Sequence, residues 1–228
     1  MNDLTVVIPV LNEDPQTVYE LYQSLTLNGA EVIIVEDGGN TEYLCPTVGY
    51  TMNMGYGYAI KYGISKSTRP TILVCDGDGQ HTFSDAQKLY TVFKLGEDFD
   101  MVVGQRYNLV EKPLRFFARK CLNFLASIIA GHYLVDLNSG MRIFRKDLAL
   151  GYKDILCDTF SFTTSFSMAV VTDKHKIMYF PINVQQRKFG KSRVKLLRDG
   201  LITLYYIIWV GLALRTRRIR AFIRGLLT

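Results

Sequence analysis

Two aspartates separated by a single glycine occur in the segment Val74–His81, which reads VCDGDGQH. The apolar run Thr71–Val74 is short, β-branched and preceded by Arg69-Pro70, so it predicts a buried strand. Asp76 and Asp78 would emerge together at the end of that strand, where neighbouring carboxylates repel each other unless a cation lies between them. That cation is either a structural arginine or a divalent metal that also binds a phosphate.

Further polar side chains follow two other predicted strands. Asn12 and Glu13 follow the apolar run Leu4–Val10, and Asp37 follows the run Glu31–Val35. In an open parallel sheet, ligands bind at the carboxyl ends of the strands, so these side chains are expected to line one crevice. Asp37 is suited to accept hydrogen bonds from a ribose or a base, although Asp-Gly sequences also form simple turns.

The elements that must position these residues alternate between strand and helix. The predicted strands are 4–10, 31–35, 48–51, 71–75 and 100–103, and the predicted helices are 17–27, 53–65 and 84–95. Ser84 is the expected N-cap of the last helix. The alternation predicts an α/β fold with a mainly parallel sheet and helices on both faces. Gly55 and Gly57 lie at a helix start, either because the backbone approaches a ligand there or because the helix packs tightly.

Two familiar phosphate-binding patterns are missing from this sequence. The first strand–helix turn lacks GxGxxG, and the chain contains no GxxxxGK[ST]. Dinucleotide cofactors and P-loop chemistry are therefore disfavoured.

Positive charge is concentrated towards the C-terminal end. The whole chain has a net charge of +6, but residues 187–228 carry eleven Lys or Arg and one acid, whereas residues 1–186 carry 16 basic and 20 acidic side chains. A basic segment attracts nucleic acid or anionic lipid. No nucleic-acid-binding motif accompanies the charge, so nucleic acid is not an expected partner.

An apolar run of fourteen residues, Leu201–Leu214, lies within this basic segment. A helix of that length spans about 21 Å, which is too short for a hydrocarbon core of about 30 Å. Arg198 and Arg215 flank the run, and Trp209 suits the membrane interface. We therefore predict an amphipathic helix in the interface, with a buried core helix as the alternative. The expected domains are a catalytic domain at 1–198 and a membrane-associating helical tail at 199–228.

Seven motifs together resemble those of family 2 glycosyltransferases. They are IPVLNE (8–13), VEDGG (35–39), NMGYGYAIKYG (53–63), CDGDGQH (75–81), GQRY (104–107), LNSGMRIFRKD (137–147) and QRKFGKSRVK (186–195). The last three narrow the resemblance to the dolichol-phosphate mannose synthase branch, which transfers a sugar to a polyprenyl phosphate. The resemblance implies a GT-A-type nucleotide-sugar-binding domain with a mixed, mainly parallel sheet. It also implies a metal-dependent, inverting transfer from a GDP-mannose or UDP-glucose type of donor to a polyprenyl (dolichyl) phosphate.

The resemblance implies three sets of site residues. Ligands of Mg²⁺ or Mn²⁺ would be Asp76, Asp78 and Gln80. The nucleotide sugar would be bound by Pro9, Val10, Asn12, Glu13, Val35, Asp37, Asn53, Gly57, Asp76, Gly77, Asp78, Arg187 and Lys191. The acceptor phosphate would be bound by Arg106, Arg115, Arg119 and Asn123, and catalysis would depend on Asp78, Arg187, Arg106 and Arg119.

The acceptor implied by the resemblance is an anionic phosphate, and the sequence contains basic residues that could bind it. Arg115 and Arg119 are four residues apart, so a helix presents both on one face among apolar neighbours. A phosphate is already ionised at neutral pH and needs no strong base; Asp136 is the candidate base if the acceptor is a hydroxyl. Arg187 and Lys191 would belong to a loop that closes over the pyrophosphate.

Two other functions stay open at this point. One is a family 2 enzyme with a glycan or other hydroxyl acceptor, and the other is a non-catalytic module that binds nucleotide sugars. The complete set of candidate metal ligands argues against the module, which would not need them. We expect a peripheral protein at the cytoplasmic face of a membrane, with any membrane-protein partner on a separate chain.

Overall fold

A computed structural model of the chain describes residues 1–96, 99–107, 113–185 and 196–226. Within these residues, seven strands form one mixed sheet. They are β1 (Leu4–Val10), β2 (Glu31–Asp37), β3 (Thr47–Tyr50), β4 (Thr71–Val74), β5 (Met101–Arg106), β6 (Arg142–Arg145) and β7 (Ile177–Ile182). The strand order is β3-β2-β1-β4-β6-β5-β7, and only the pairs that involve β6 are antiparallel. The predicted α/β fold with a mainly parallel mixed sheet is confirmed.

Helices cover both faces of this sheet. They are α1 (Pro15–Leu27), α2 (Tyr56–Lys66), α3 (Phe83–Leu95), α4 (Pro113–Ala130), α5 (Lys146–Tyr152), α6 (Phe162–Thr172) and α7 (Leu196–Leu226). The predicted N-cap of α3 was wrong. Thr82 accepts a hydrogen bond from the Asp85 N–H (3.2 Å), and the Asp85 side chain reaches back to the Thr82 N–H (3.3 Å). This reciprocal capping box starts the helix before Ser84.

The antiparallel strand β6 lies between β4 and β5. Arg142, its first residue, pairs with Val74 at the end of β4 and with Val103 in β5. Because β6 runs in the opposite direction, its beginning lies at the sheet edge where β4 and β5 end. Residues that precede β6 are therefore brought to the same edge as Asp76 and Arg106.

Two apolar layers enclose the sheet. Leu25 of α1 and Leu89 of α3 belong to the layer on one face, while Ile60 of α2 and Phe166 of α6 belong to the layer on the other. All four residues of β4 are buried, as expected for a central strand with helices on both sides. The sheet edge that carries the polar side chains is thus supported by a rigid core.

Helix α7 is longer than the fourteen-residue run that the sequence suggested. It has 31 residues, and the segment Leu197–Thr216 (20 residues, mean hydropathy 1.4) is long and apolar enough to cross a membrane by length and composition. The argument that this run is too short was therefore wrong, because the flanking polar residues continue the helix. Buried residues on one face pack it against α4 and α6: Thr203, Ile207, Val210 and Leu214. Only 28% of the apolar segment is buried, so α7 is not simply a core helix. The domain boundary at 198/199 stays a prediction.

Candidate active site

Asp37 ends β2, and both of its carboxylate oxygens accept hydrogen bonds from the backbone. Oδ1 accepts from the N–H of Met54 (2.7 Å) and of Gly55 (3.1 Å), and Oδ2 accepts from the N–H of Gly55 (3.0 Å). The residue is only 4% exposed. Asp37 therefore fixes the loop that enters α2, and its predicted contact with a ribose or base stays a prediction.

The segment after β1 is tied to the segment after β2. Asn12 has a positive φ of 54°, and its Oδ1 accepts from the Asn40 N–H (3.2 Å) and the Thr41 hydroxyl (3.3 Å). The Glu13 N–H donates to the Tyr43 hydroxyl (3.1 Å). These bonds hold the ends of β1 and β2 together. The other predicted donor-site residues of this region are Pro9, Val10 and Val35, which are buried in the strands, and Asn53, which is exposed before α2.

Gly57 is explained by close packing. A Cβ at this position would clash with the Cys157 carbonyl and would lie 2.7 Å from the Phe162 Cβ. Of the two interpretations of this glycine, the structure supports tight packing of α2.

Asp76 follows β4, and each oxygen of its carboxylate has a partner. The Tyr56 hydroxyl donates to Oδ1 (2.7 Å), and His81 Nε2 lies 3.4 Å from Oδ2. His81 is buried and faces Asp76 with Nε2, while its Nδ1 has no hydrogen-bond partner within the described residues. Burial disfavours the charged carboxylate, but the hydrogen bonds from His81 and Tyr56 hold the pKa of Asp76 below its ordinary value.

Asp78 and Gln80 form a turn that contacts the C-terminal extension of β7. The buried Asp78 accepts through Oδ1 from the Gln80 N–H (3.0 Å). The Gln80 carbonyl accepts from the Gln185 N–H (3.0 Å), and Gln80 Nε2 donates to the Gln185 carbonyl (3.4 Å). Gln185 immediately precedes the segment that contains Arg187 and Lys191. Those two residues lie outside the described residues, and their roles stay predictions.

The residues after β4 have donor atoms that suit a hard divalent cation. No group of three or more His, Cys, Asp or Glu side chains that could hold a metal occurs in the part of the chain that the structure describes. Mg²⁺ and Mn²⁺ in nucleotide sites need only one or two protein carboxylates when phosphates and water supply the remaining ligands. Asp76 and Asp78, which follow the same strand, and the Gln80 side chain two residues further on supply oxygen donors of this kind. They fit a cation that binds together with a nucleotide.

Arg106, the last residue of β5, is held by Asp136. Arg106 Nε donates to Asp136 Oδ2 (2.9 Å) and Nη2 donates to Oδ1 (2.7 Å), so the ion pair is bidentate. The Arg106 N–H also lies 3.3 Å from Oδ2. Burial would raise the pKa of Asp136, but Arg106 and the charge of Arg119 hold it below its ordinary value. Sequence reasoning treated Arg106 and Asp136 separately and missed this pair.

The other predicted acceptor residues lie on α4. Arg115 and Arg119 are half-buried, and the Arg119 guanidinium lies 5.5 Å from the centre of the Phe116 ring. Asn123 is only 6% exposed, and its Nδ2 donates to the Val135 carbonyl (2.6 Å). Asn123 therefore supports the backbone next to Asp136. Its predicted contact with the acceptor phosphate stays a prediction.

Arg142 is a residue near the site that sequence reasoning did not single out. It is fully buried, and its Nη1 and Nη2 donate to the carbonyls of Thr163 (2.8 Å) and Ser139 (2.5 Å). Burial lowers its pKa to about 10. The arginine fixes the segment between Asp136 and β6. The available sequence signal was an arginine directly before the two apolar residues Ile143 and Phe144.

Two adjacent helices expose apolar side chains beside this site. Arg215 of α7 donates to the Ile129 carbonyl of α4 (2.9 Å), which joins the two helices. We define the α4/α7 face by side chains that are 44–83% exposed: Leu114, Phe116, Phe117, Phe124 and Ile128 on α4, and Leu197, Leu201, Tyr205, Ile208 and Leu212 on α7. An apolar patch of this kind marks an interaction site for a membrane, a protein or a ligand.

Residues 5–152 match the family model of Glycosyl transferase family 2. The chain belongs to this family. It is therefore a glycosyltransferase that uses nucleotide-sugar donors, and the predicted family is confirmed. The matched residues include β1 to β6, Asp76, Asp78 and the Arg106–Asp136 pair.

Three curated relatives extend the similarity of this family 2 glycosyltransferase. The uncharacterized protein MJ1222 of Methanocaldococcus jannaschii is 28% identical over 227 residues, with 91% of each chain covered. The glycosyltransferase AglJ of Haloferax volcanii is 24% identical, with 86% of this chain and 67% of the relative covered. A dolichyl-phosphate beta-glucosyltransferase of Drosophila melanogaster is 25% identical, with 64% and 56% covered.

Solved structures show the same fold. The glucosyl-3-phosphoglycerate synthase of Mycobacterium tuberculosis, crystallised with Mn²⁺, uridine diphosphate and phosphoglyceric acid, has a TM-score of 0.74 at 14% identity, with 92% of this chain and 78% of that chain covered. The same enzyme with Mg²⁺ and uridine diphosphate has a TM-score of 0.69, also at 14% identity, with 92% and 79% covered. At this level of identity the likeness establishes the GT-A-like fold of the family 2 glycosyltransferase.

Proposed function

We propose that this family 2 glycosyltransferase transfers a sugar from a nucleotide-diphosphate sugar to a polyprenyl phosphate at a membrane surface, with inversion at the anomeric carbon. The observation that carries the proposal is the Arg106–Asp136 ion pair, which lies near Arg119 and beside the α4/α7 face. A mannosyl or glucosyl donor of the GDP or UDP type fits the proposal equally well.

The state of Asp136 favours an acceptor that is already ionised. A hydroxyl acceptor must lose a proton, and an effective general base has a pKa close to the working pH. Both Asp136 oxygens accept hydrogen bonds from Arg106, and its pKa is lowered, so it is a weak base. A phosphate needs no base, because its oxygens already carry negative charge.

The local charge also favours a phosphate. Arg106 forms the bidentate ion pair with Asp136, and the positive charge of Arg119 also acts on this carboxylate. Arginines bind phosphate oxygens through directed, charge-assisted hydrogen bonds. We assign the acceptor phosphate to this cluster, with Arg115 one turn away on α4.

The α4/α7 face supplies a surface for the lipid chain. A polyprenyl chain stays in the bilayer, so its phosphate is reached only by an enzyme that lies on the membrane. Amphipathic helices bind there through buried apolar area and through attraction between basic residues and anionic lipid. Because one side of α7 packs on the domain, we propose that α7 lies along the cytoplasmic surface as a peripheral element.

The donor half acts through Asp76, Asp78 and Gln80. These residues would hold Mg²⁺ or Mn²⁺, which stabilises the negative charge on a departing nucleoside diphosphate. Tyr56 and His81 hold Asp76 in its ionised form. Arg187 and Lys191 are proposed to neutralise the pyrophosphate from the segment that follows Gln185.

The similarity to the dolichyl-phosphate beta-glucosyltransferase named above supports a polyprenyl phosphate as the acceptor.

The test is a transfer assay with a matched pair of acceptors. Purified full-length protein, Mn²⁺ and labelled UDP-glucose or GDP-mannose are incubated with liposomes that contain a short polyprenyl phosphate or the same polyprenol without phosphate. We expect label in the lipid fraction with the phosphate only. Equal labelling of the polyprenol, or label found only in a glycan or another hydroxyl acceptor, would contradict the proposal.

A further inference from the structure

Three parts of the fold enclose the carboxylate of Asp76. Tyr56, the first residue of α2, donates its hydroxyl proton to Oδ1 (2.7 Å), and His81 after β4 approaches Oδ2 (3.4 Å). The third part is Gly140, which precedes β6. A Cβ at Gly140 would lie 2.8 Å from Asp76 Oδ1 and closer still to Oδ2, so only glycine leaves room for the carboxylate in this position.

Tyr56 is itself held from two sides. Its ring stacks on Phe160 with ring centres 5.4 Å apart and an interplanar angle of 10°. The backbone just before it is fixed by Asp37, which accepts from the N–H groups of Met54 and Gly55. The Tyr56 hydroxyl is therefore held in place to donate to Asp76 Oδ1.

We propose that Tyr56 is a positioning residue that orients Asp76 as a ligand for the nucleotide-bound divalent cation. Through the Tyr56 hydroxyl, the loop fixed by Asp37 at the end of β2 sets the position of a carboxylate that follows β4. The inference rests on the metal role of Asp76 in the proposed function, but it does not depend on which acceptor is used.

The physical reason is preorganisation. A carboxylate that is free to rotate must lose that freedom when it binds a cation, whereas a carboxylate that is already oriented by hydrogen bonds does not. Removal of an outer-shell partner typically weakens metal affinity by about 10- to 100-fold. Because Tyr56 is one of two partners and His81 remains, we expect the lower end of that range for its loss.

The test compares Tyr56→Phe with Tyr58→Phe. Both changes remove one hydroxyl from the same helix, and the phenyl ring introduced by Tyr56→Phe can keep its stacking on Phe160. Mn²⁺ affinity is measured calorimetrically on the full chain in the presence of saturating UDP or GDP. We expect about a tenfold loss for Tyr56→Phe and no change for Tyr58→Phe. Wild-type Mn²⁺ affinity in Tyr56→Phe would overturn the proposal.

Two further readouts separate positioning from a general structural effect. Excess Mn²⁺ should restore kcat for donor hydrolysis in Tyr56→Phe, because the defect lies in metal affinity; a kcat that stays low at saturating Mn²⁺ would overturn the proposal. Gly140→Ala should weaken Mn²⁺ binding more than Gly151→Ala, since a Cβ at Gly151 meets no atom within 4 Å. Equal affinities in these two variants would contradict the enclosure of Asp76.

Failure of the proposed function gives a different pattern. If no polyprenyl phosphate is glycosylated but Tyr56→Phe still weakens Mn²⁺ binding, the acceptor assignment is wrong and the positioning role stands. If lipid is glycosylated and Mn²⁺ affinity does not depend on Tyr56, the acceptor assignment stands and the positioning role of Tyr56 is wrong.

Discussion

The sheet edge at the ends of β2 and β4, where the proposed function places the sugar donor, is called the donor edge here. It differs from the α4/α7 face in whether its side chains have partners within the protein. At the donor edge, the polar side chains of Asp37 and Asp76 have hydrogen-bond partners on both carboxylate oxygens. On the α4/α7 face, large apolar side chains such as Phe117 and Leu201 stand in solvent, although burial of each would be favourable by about 1.5–3 kcal/mol.

This difference indicates where each region finds its partners. The donor edge is organised by the protein itself, so its geometry exists before a nucleotide sugar arrives. In the proposed function, the apolar side chains of the α4/α7 face are buried only when the face contacts a membrane. In the proposed function, the Arg106–Asp136 pair marks the place where the sugar donor meets the lipid acceptor.

The largest effect is expected at the donor edge. Asp78→Ala should reduce transfer by about a thousandfold or more, because several kcal/mol of transition-state stabilisation depend on the cation. Asp154→Ala, which removes an exposed carboxylate, is the control and should keep full activity. Sugar transfer and circular dichroism are measured on both variants. Full wild-type activity in excess chelator would show that this edge works without a metal.

The ion pair between the regions is the next place to test. Asp136→Asn should lower the free energy of unfolding by about 3 kcal/mol, since it leaves Arg106 without its buried counter-charge. The control is Asp158→Asn, because Asp158 is 54% exposed in its ion pair with Lys61 and the pair should contribute less than about 1 kcal/mol. Urea unfolding measures both. Similar losses of unfolding free energy in the two variants would mean that the Arg106–Asp136 pair stabilises the fold no more than the Lys61–Asp158 pair does.

Arg119 tests whether the acceptor phosphate lies between the regions. Arg119→Ala should raise KM for the polyprenyl phosphate by about 10- to 100-fold, which corresponds to one lost charge-assisted hydrogen bond. KM for the donor and slow donor hydrolysis should change little. Lys120→Ala removes the neighbouring exposed cation and is the matched control. If Arg119→Ala cripples donor hydrolysis instead, the two phosphate sites have been reversed.

The apolar face is tested by changing exposed leucines. The double variant Leu201→Ser/Leu212→Ser should weaken binding to anionic vesicles by about tenfold or more, because it removes roughly 2 kcal/mol of apolar contact with lipid. The control, Leu27→Ser/Leu95→Ser, alters two leucines on α1 and α3 that are at least as exposed. Vesicle sedimentation gives the affinities. Equal binding of the two variants would place the membrane contact elsewhere.

The smallest expected effect concerns pH. The pKa of Asp136 is lowered in the folded state, so its contribution to stability is present above the unfolded pKa of about 3.9 and is lost as the pH falls through the folded value. The wild type should therefore lose more stability between about pH 5 and the acid limit than Asp136→Asn does. The midpoints of urea unfolding are measured across that pH range for both proteins. If the midpoints of the wild type and of Asp136→Asn fall in parallel, Asp136 does not contribute to the pH dependence of stability.

Much of the fold could be predicted from the sequence, because apolar runs and turn residues indicated where most strands and helices begin and end. The first strand, Leu4–Val10, has the predicted bounds; α2 begins three residues and ends one residue later than predicted, and α3 begins one residue earlier. The cap of α3 was misjudged because the Thr82–Asp85 box depends on a side chain that reaches back three residues. The length of α7 was misjudged because helix formation continues beyond an apolar run wherever polar residues are good helix formers.

The candidate site could be predicted only in part, because some of its contacts join residues that are far apart in the sequence. Asp76 and Asp78 are adjacent in sequence, so their shared position follows from one strand end. The Arg106–Asp136 pair joins residues 30 positions apart, and the contact of Tyr56 with Asp76 joins residues 20 positions apart. Such contacts depend on how the elements are arranged in space, and the Arg106–Asp136 pair depends in particular on the insertion of β6 between β4 and β5, which no local pattern in the sequence reveals.

The position of β6 also has a consequence for the order in which the sheet can assemble. β1, β2 and β4 can pair as soon as each has left the ribosome, but β4 and β5 never touch, because β6 lies between them and is made after both. Until Arg142–Arg145 has been synthesised, the apolar strand Thr71–Val74 keeps an unpaired edge. Exposed edges of this kind invite pairing with other chains. This edge is therefore open to such pairing while α4 is being made, and slowing translation there should lower the soluble yield.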